Sequence, residues 1–533
     1  MQFSNFEVET SEVNTPMGGS QTVTILKFMR NMGDPEIIKT LVDLLDTDEV
    51  YNDPIKLSPM ELYPHLKAIQ SKIEHSGQYN LIELSYWLNE YFKDKIEQLE
   101  RMNSDGKINF ANLEQLFKIG VKCIGTIYDQ PVGFMINRVD RSVDSFGMPV
   151  FLLYGKITVS RGDKFIQYDK TFTINSFGGA QYIKNLPIRP ISDEELQMLT
   201  ERGRKYVKYA LSANYVNYTG YMFKKTMYGL YKFKADGRIM IDPTGFSKKN
   251  PSYFNYRGVA ECESVPEDLL FMCSPFTCGF NFNTKDWGEL LIDNVSDIKF
   301  DDNAFDLVVI DESVKSMVKA LVSNSTGTFS DIISGKSGGT IICLHGPPGV
   351  GKTVFSESIS ELLHKPLYSI GAGEFGINAK ELEAKLAEVL EIAQAWNAII
   401  LIDEADIFME KRSTNDLVRN AMVSIFLRLL ERYQGIMFLT TNRPDEFDTA
   451  FKSRISINIG YNELNEESRF KIWTNLLKAS NVNISIEDIE KLSKTQMNGR
   501  QIKNCIRMGQ CLAKDSSQDL SRQIIEKVIP FVI

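Results

Sequence analysis

Residues 346–353 read GPPGVGKT, that is Gly346, Pro347, Pro348, Gly349, Val350, Gly351, Lys352 and Thr353. The stretch matches the pattern G-x-x-x-x-G-K-[ST] at every fixed position. The apolar run 340–344 before it predicts a buried parallel strand, and the apolar spacing over 354–363 predicts an amphipathic helix. A glycine-rich turn between strand and helix presents backbone N–H groups to a polyphosphate. We expect Lys352 to contact the β- and γ-phosphates of ATP and the Thr353 hydroxyl to bind Mg²⁺.

A second apolar run, residues 398–402, ends in the carboxylate pair Asp403 and Glu404. Ligands of open α/β sheets bind at the carboxyl ends of the strands, where such a pair is accessible. We expect Asp403 to bind the Mg²⁺ ion and Glu404 to act as general base on the attacking water. The competing interpretation is a surface acidic cluster that caps the next helix. The position directly after an apolar strand, downstream of the phosphate loop, favours the catalytic interpretation.

Three further polar residues follow in an informative order. Asn442 ends a third predicted strand, where its amide is suited to orienting water, although asparagine at a strand end is more often a turn former. Arg454 precedes the strand-like residues 455–459. Arg500 lies next to Gly499, where a C-terminal helix is predicted to begin.

With these residues in place, the chain resembles the AAA family of hexameric ATPases. The similar segments are AIILIDEAD at 398–406, FLTTNRPDEFD at 438–448, SRI at 453–455 and NGRQIKN at 498–504. They look like a branch of the family that is common in fungi and has a β-rich domain before the ATPase. The resemblance implies an α/β fold: a P-loop NTPase parallel sheet with an α-helical lid, preceded by an α+β N-terminal region. It also implies that Asn442 is sensor 1, Arg454 an arginine finger that reaches the neighbouring subunit's nucleotide, and Arg500 sensor 2.

Two segments depart from the best-known members of that family. Arg454 stands alone where those members have two arginines, and the motif order offers it no partner in the same subunit. The segment that normally carries an aromatic pore loop is shortened to residues 373–378, with Phe375 as the candidate aromatic. The charged residues 410–412 and Asp416 are most simply solvated loop residues, and the alternative, if the protein forms a ring, is a second pore-facing loop at 411–416. The shortened first loop gives no support to threading an unfolded chain through a central pore.

Composition favours a multidomain protein of a reducing compartment. A hydrophobic content of 43% provides ample core, yet no stretch approaches 18 consecutive apolar residues, so a membrane span is not expected. The N-terminus lacks the basic and apolar regions of a secretory signal. The cysteines are scattered without a Cys-x-x-Cys pair, which favours a cytoplasmic or other reducing intracellular location and no structural zinc. A net charge of −9 argues against wholesale coating of nucleic acid.

Changes in residue pattern along the chain predict four parts. These are a mainly helical N-terminal region at 1–120, a β-rich recognition domain and linker at 121–282, the ATPase α/β subdomain at 283–461 and the α-helical lid at 462–533. We expect residues 1–20 to form a flexible arm and residues 246–282 to form a loop-rich linker.

Residues 202–238 combine many lysines and arginines with tyrosines. This is the composition of a surface that binds single-stranded nucleic acid. It is also ordinary for amphipathic strands that pack tyrosine rings inward and keep lysines in water, and we favour this interpretation.

We therefore expect an ATP-hydrolysing remodelling enzyme that forms a homo-oligomeric ring, most simply a hexamer, and acts on a macromolecular partner that we expect to be a protein. One alternative is a loader or motor ATPase that acts on nucleic acid, which residues 202–238 and the single arginine favour. Another is an assembly or translocation factor for a folded protein, which the shortened pore loop favours.

Overall fold

The computed structural model describes residues 5–14, 20–29, 35–45, 48–76, 81–94, 104–227, 229–254, 256–323, 339–409, 417–443 and 449–533. Two compact units make up the chain. The first comprises Met1–Gly125, Ile136–Tyr154 and Thr171–Pro190, and the second comprises Thr126–Met135, Gly155–Lys170 and Ile191–Ile533. Within the described residues, every helix is too short or too polar to cross a bilayer.

The first unit begins with a three-stranded antiparallel sheet of Glu7–Asn14, Ser20–Phe28 and Ile55–Leu57. The expected flexible arm over 1–20 is wrong at Glu7–Asn14, which pairs along its whole length with Ser20–Phe28. Phe6 and Phe28 are buried in one apolar cluster with the nearby helices, and this burial holds a hairpin whose own sequence is largely polar. The helices of this region are Pro35–Leu44, Pro59–Leu62, Leu66–Ser76, Ile82–Tyr91 and Leu113–Leu116.

Long strands follow, as the alternating pattern after residue 121 predicts. A six-stranded sheet has the order Arg189–Pro190, Lys122–Ile127, Gln130–Val143, Pro149–Arg161, Lys164–Asn175 and Ala260–Cys262. Lys107–Asn109 pairs separately with Ala180–Tyr182. The pattern missed one element, the helix Asp193–Tyr209, which begins at a capping box formed by Ser192 and Glu195.

A seven-stranded antiparallel sheet lies in the second unit. Its order is Gly229–Lys234, Tyr221–Thr226, Asp286–Leu291, Phe276–Asn281, Gly237–Ile241, Asn214–Tyr218 and Val295–Ser296. The expected linker over 246–282 is wrong at Phe276–Asn281, a strand near the middle of this sheet in which every residue is buried. A strand covered on both faces lacks the polar–apolar alternation that marks a strand in sequence. The helix Pro243–Lys249 follows the strand Gly237–Ile241.

Five parallel strands form the second sheet of this unit, in the order Leu367–Gly371, Ile399–Asp403, Ile436–Thr441, Thr340–His345 and Ile457–Gly460. Its accompanying helices are Glu312–Ser323, Lys352–Leu362, Ala379–Ala395, Asp406–Met409, Leu417–Leu430 and Thr449–Lys452. Four helices of the lid follow: Glu466–Ala479, Ile486–Ser493, Gly499–Asp515 and Arg522–Val528. This arrangement confirms the predicted α/β P-loop fold with a helical lid.

A single apolar core joins the seven-stranded and five-stranded sheets. Phe280 stacks on Tyr368 with ring centroids 5.6 Å apart and lies 5.4 Å from the ring of Trp396. The Trp396 indole is 5.8 Å from that of Trp287, and its Nε1 donates a hydrogen bond of 2.8 Å to Asp242 Oδ2. Because the buried indole N–H has a partner, the aromatic cluster has both apolar packing and a satisfied polar group at its centre.

Candidate active site

The phosphate loop follows the strand Thr340–His345 and leads into the helix Lys352–Leu362. Gly346, Gly349 and Gly351 have φ values of 140°, 78° and 110°, which glycine adopts without strain. A Cβ on Gly346 would lie 2.3 Å from the Tyr461 carbonyl oxygen, and one on Gly349 would lie 2.7 Å from the Asn498 side chain. The loop therefore needs its glycines for backbone conformation and for close packing. The predicted loop residues Pro347, Pro348 and Val350 lie between them, with Val350 buried in the core.

The Lys352 ammonium lies within the loop and bridges it to a neighbouring strand end. Its Nζ donates hydrogen bonds to the carbonyl oxygens of Gly346 at 2.7 Å and Pro347 at 2.9 Å. A third bond of 2.8 Å goes to Asn442 Oδ1. The structure thus brings together two residues that the sequence placed in separate motifs.

Charges around Lys352 come from three other elements. Burial lowers the pKa of the Lys352 ammonium, the carboxylates of Asp403 and Asp406 oppose this effect, and the positive charge of Arg500 adds to it. Asp403 and Arg500, both predicted from sequence, are therefore close enough to Lys352 to affect its pKa.

Thr440 holds the carboxylate pair in place. Its hydroxyl donates to Asp403 Oδ1 and accepts a 3.0 Å hydrogen bond from the Glu404 backbone N–H. Glu404 has φ of 56°, a left-handed conformation that costs about 1–3 kcal/mol for a residue with a side chain. The Glu404 side chain is exposed. Thr440 therefore fixes both the orientation of Asp403 and an unusual backbone at Glu404, a role that sequence reasoning missed.

Asp406 holds the end of the strand next to Asn442 in place, as Thr440 does for Asp403 and Glu404. The Asp406 Oδ1 atom accepts from the Thr441 hydroxyl and, at 3.3 Å, from the Asn442 backbone N–H. Thr441 Oγ1 in turn accepts a 3.0 Å bond from the backbone N–H of Arg443. The signal in the sequence is the pair of threonines directly before Asn442, which has hydroxyls at the end of an otherwise apolar strand.

The donor set fits a magnesium ion carried with a nucleotide. Thr353 is half-buried in the first turn of the phosphate-loop helix. Asp403 ends the strand Ile399–Asp403, which the strand Ile436–Thr441 separates from the phosphate-loop strand. In the described part of the chain, no group of three or more His, Cys, Asp or Glu side chains is arranged to hold a metal. A hydroxyl and one carboxylate suffice for Mg²⁺, which takes its remaining ligands from water and substrate phosphates.

The lid meets the phosphate loop through the helix that carries Arg500. The Gly499 backbone N–H donates a 2.9 Å hydrogen bond to the Gly349 carbonyl. Asn498 and Gln501 form the capping box of this helix. Arg500 itself is exposed on the first turn.

Arg454 has a partner within its own subunit, which corrects the expectation drawn from motif order. One guanidinium nitrogen donates to the Ala450 carbonyl at 2.8 Å and the other pairs with the Glu431 carboxylate. Glu431 is near the end of the helix Leu417–Leu430, outside any motif, so its pairing is invisible in sequence. The side chain of Arg454 remains 27% exposed.

Phe375 is not an accessible pore-loop aromatic. It is 1% exposed and packs edge-on against Phe408, with ring centroids 5.8 Å apart. The exposed apolar residue of the segment is Ile377. The expected second loop at 411–416 lies outside the described residues.

Several tyrosines of the 202–238 segment point inward. Tyr206 and Tyr218 are fully buried, and Tyr206 accepts a 2.8 Å hydrogen bond from the Ser160 backbone N–H. Arg202 is also buried. The packing interpretation of this segment therefore explains these residues.

The loop, the carboxylate at the end of the strand Ile399–Asp403 and the parallel sheet together define a P-loop nucleotide-binding protein. Comparison with known sequences is consistent with this. The family "ATPase family associated with various cellular activities (AAA)" matches residues 342–462. This part of the chain belongs to the AAA family. Residues 98–195 match a domain of unknown function, DUF7025.

The curated proteins that resemble this chain align with only part of it. ATPase family AAA domain-containing protein 3B of Homo sapiens is 28% identical over 139 residues, which cover 25% of this chain and 21% of that protein. A putative 26S proteasome regulatory subunit homolog of Methanothermobacter marburgensis is 27% identical over 198 residues, 35% of this chain and 53% of that protein. Protein CdcH of Halobacterium salinarum is 32% identical over 179 residues, 29% of this chain and 24% of that protein. The chain thus spans about half or less of the length of these relatives.

Proposed function

We propose that the protein hydrolyses ATP with Mg²⁺ and uses the energy, as an oligomeric ring, to remodel a macromolecular partner. The observation that carries the proposal is the environment of the Lys352 ammonium. It donates a 2.8 Å hydrogen bond to Asn442, and the charges of Asp403 and Arg500 affect its pKa. A cation, a carboxylate and an amide at the carboxyl edge of a parallel sheet are suited to phosphoryl transfer to water.

Each residue has a role in this proposal. Lys352 and the loop N–H groups bind the β- and γ-phosphates and stabilise the negative charge that develops there. Thr353 and Asp403 would hold the metal ion, which neutralises phosphate charge when bound. Glu404 accepts a proton from the attacking water, and Asn442 orients that water.

Two arginines complete the site from other directions. Arg500 approaches from the lid and would couple the γ-phosphate to lid position in the same subunit. Arg454 would reach the nucleotide of the next subunit in a head-to-tail ring, for which a hexamer is the simplest stoichiometry. In that role Glu431 holds the guanidinium ready, and the exposed fraction of Arg454 is the part available to a neighbour.

We infer that the partner is a protein. One relative is named as a 26S proteasome regulatory subunit homolog, which supports a protein substrate. The buried Phe375 supports action on a folded partner over threading of an unfolded chain. All seven cysteines are free thiols, which supports a reducing intracellular location such as the cytoplasm.

A nucleic-acid loader remains the second candidate because Lys224, Lys225, Lys232 and Lys234 are solvent-facing or near the surface of adjacent strands. ATPase measurements with single-stranded DNA or RNA, an unfolded protein or a folded protein extract separate the candidates. Stimulation by nucleic acid alone would replace the protein-remodelling proposal.

The deciding experiment on the chemistry compares two variants in ATP binding and phosphate release. Lys352→Ala removes the fixed cation and is expected to abolish ATP binding. Glu404→Gln keeps the metal-binding carboxylate of Asp403 and should bind ATP while losing about 10²–10⁴-fold in turnover. Turnover by Glu404→Gln near the wild-type rate would refute the assignment of the base.

A further inference from the structure

A cavity of about 220 Å³ lies in the second unit against the strand Phe276–Asn281, and its lining includes none of the residues described for the nucleotide site. Aromatic side chains form part of its walls, contributed by Tyr128, Tyr168, Tyr206, Phe254, Tyr256 and Phe276. One carboxylate, that of Glu289, lines it as well. A cavity of about 150 Å³ is large enough to bind benzene, so this one can hold a small ligand or a single side chain.

The Glu289 carboxylate is buried, with the residue 6% exposed, and accepts a 3.0 Å hydrogen bond from the Tyr253 hydroxyl. Among the described residues, no cation lies within ion-pair distance of it. Burial raises its pKa, whereas the more distant Lys225 ammonium and the Tyr253 hydrogen bond lower it. A buried carboxylate is ordinarily paired or bound to a cation. The described residues therefore give the Glu289 carboxylate one hydrogen bond but no ion-pair partner.

The aromatic rings at the mouth already surround an ammonium group. Lys225 Nζ lies 4.7 Å from the ring centre of Phe254, 5.0 Å from that of Tyr253 and 5.8 Å from that of Tyr128. Aromatic faces attract ammonium ions, and cages of several rings recognise alkylammonium groups. Lys225 is an exposed residue, so this ammonium is at the entrance and not at the buried end of the cavity.

We propose that this cavity is a binding site for an alkylammonium group, with Glu289 as its counter-ion and the aromatic side chains around its alkyl chain. Lys225 occupies the outer part of the same cage and competes with the ligand through its like charge. The group belongs either to a lysine side chain of a partner polypeptide or to a free small amine. Lys170 also lines the cavity, and its ammonium repels the ligand in the same way as that of Lys225.

The test is calorimetric titration of the full-length protein at constant ionic strength, with n-butylammonium as the probe and n-butanol as its neutral counterpart. We expect saturable one-to-one binding of n-butylammonium and at least tenfold weaker binding of n-butanol, because the charged hydrogen bond is absent. Equal binding of the two probes, or no binding of either, would overturn the proposal.

Two variants place the binding at this cavity. Glu289→Gln keeps a hydrogen-bond acceptor for Tyr253 and should weaken n-butylammonium binding at least about tenfold, while leaving n-butanol unchanged. Lys225→Ala removes the competing ammonium at an exposed position and should tighten binding about twofold to fivefold. Unchanged affinity in Glu289→Gln would reject the site. If that variant does not fold, unchanged or weaker binding by Lys225→Ala rejects it instead.

A second titration distinguishes the two sources of the ligand. A blocked glycine peptide with one lysine should bind more tightly than n-butylammonium if the natural ligand is a polypeptide side chain. Tighter binding of the free amine identifies a small-molecule ligand.

Discussion

Replacing Thr440 with valine should reduce ATP turnover while leaving ATP affinity intact. The hydroxyl donates to the Asp403 carboxylate and accepts from the Glu404 N–H, and valine has the same shape without these bonds. Hydrogen bonds to charged groups contribute about 1.5–3 kcal/mol. If that energy positions the two carboxylates only for the reaction, the loss in kcat is about 10- to 150-fold. The left-handed Glu404 backbone should also relax once its N–H loses the hydroxyl.

The assay pairs steady-state phosphate release with the affinity for a fluorescent ATP analogue. Thr440→Ser is the matched control, because serine retains the hydroxyl and should restore most of the turnover. Thermal unfolding checks that the fold is intact, since Thr440 is buried. A valine variant within twofold of wild-type kcat, or a serine variant as slow as valine, would refute the positioning role of Thr440.

Other predictions address the remaining groups. Arg454→Ala should bind ATP normally but hydrolyse it at least about 10³-fold more slowly. If the arginine acts between subunits, mixing this variant with Lys352→Ala should recover part of the activity. No recovery at any mixing ratio, together with turnover that is independent of protein concentration, would contradict a site shared between subunits. Arg500→Ala should raise the KM for ATP or uncouple binding from hydrolysis, and unchanged kinetics would assign it a surface role. Glu289 has a raised pKa from burial, partly offset by Lys225 and Tyr253, so its contribution to stability is fully present below its ordinary value of 4.5 and is lost as the pH rises through the raised value. Urea unfolding should therefore show Glu289→Gln gaining on wild type between pH 4.5 and neutral pH, and a constant difference would contradict the buried charge.

The parts of the site that sequence predicts are those that depend on local order along the chain. The phosphate loop, Asp403 and Asn442 each follow a strand that is apolar enough to recognise, and parallel strands bring their carboxyl ends to one edge. Thr440 and Glu431 escape because their roles depend on contacts with residues far away in sequence. A threonine at position 440 and a glutamate at position 431 fit the local sequence pattern, so neither residue stands out in the sequence.

The errors in the fold have similar physical causes. Glu7–Asn14 has few apolar residues and is held by its pairing with the next strand. The strand Phe276–Asn281 is buried on both faces and shows no alternation. The helix Asp193–Tyr209 did carry a local signal, the Ser192 and Glu195 capping box, that could have been recognised.

The aromatic junction around Trp396 affects how the chain can be divided and how it can move. Phe280 and Trp287 come from the seven-stranded sheet, Tyr368 comes from the five-stranded one, and Trp396 ends the helix Ala379–Ala395 beside it. All four are buried in one core. A fragment beginning at residue 283 would lose Phe280 and uncover large apolar rings, which favours aggregation. The seven-stranded sheet therefore shares a buried core with the five-stranded sheet. If the five-stranded sheet rotates relative to the lid, we expect the seven-stranded sheet to rotate with it.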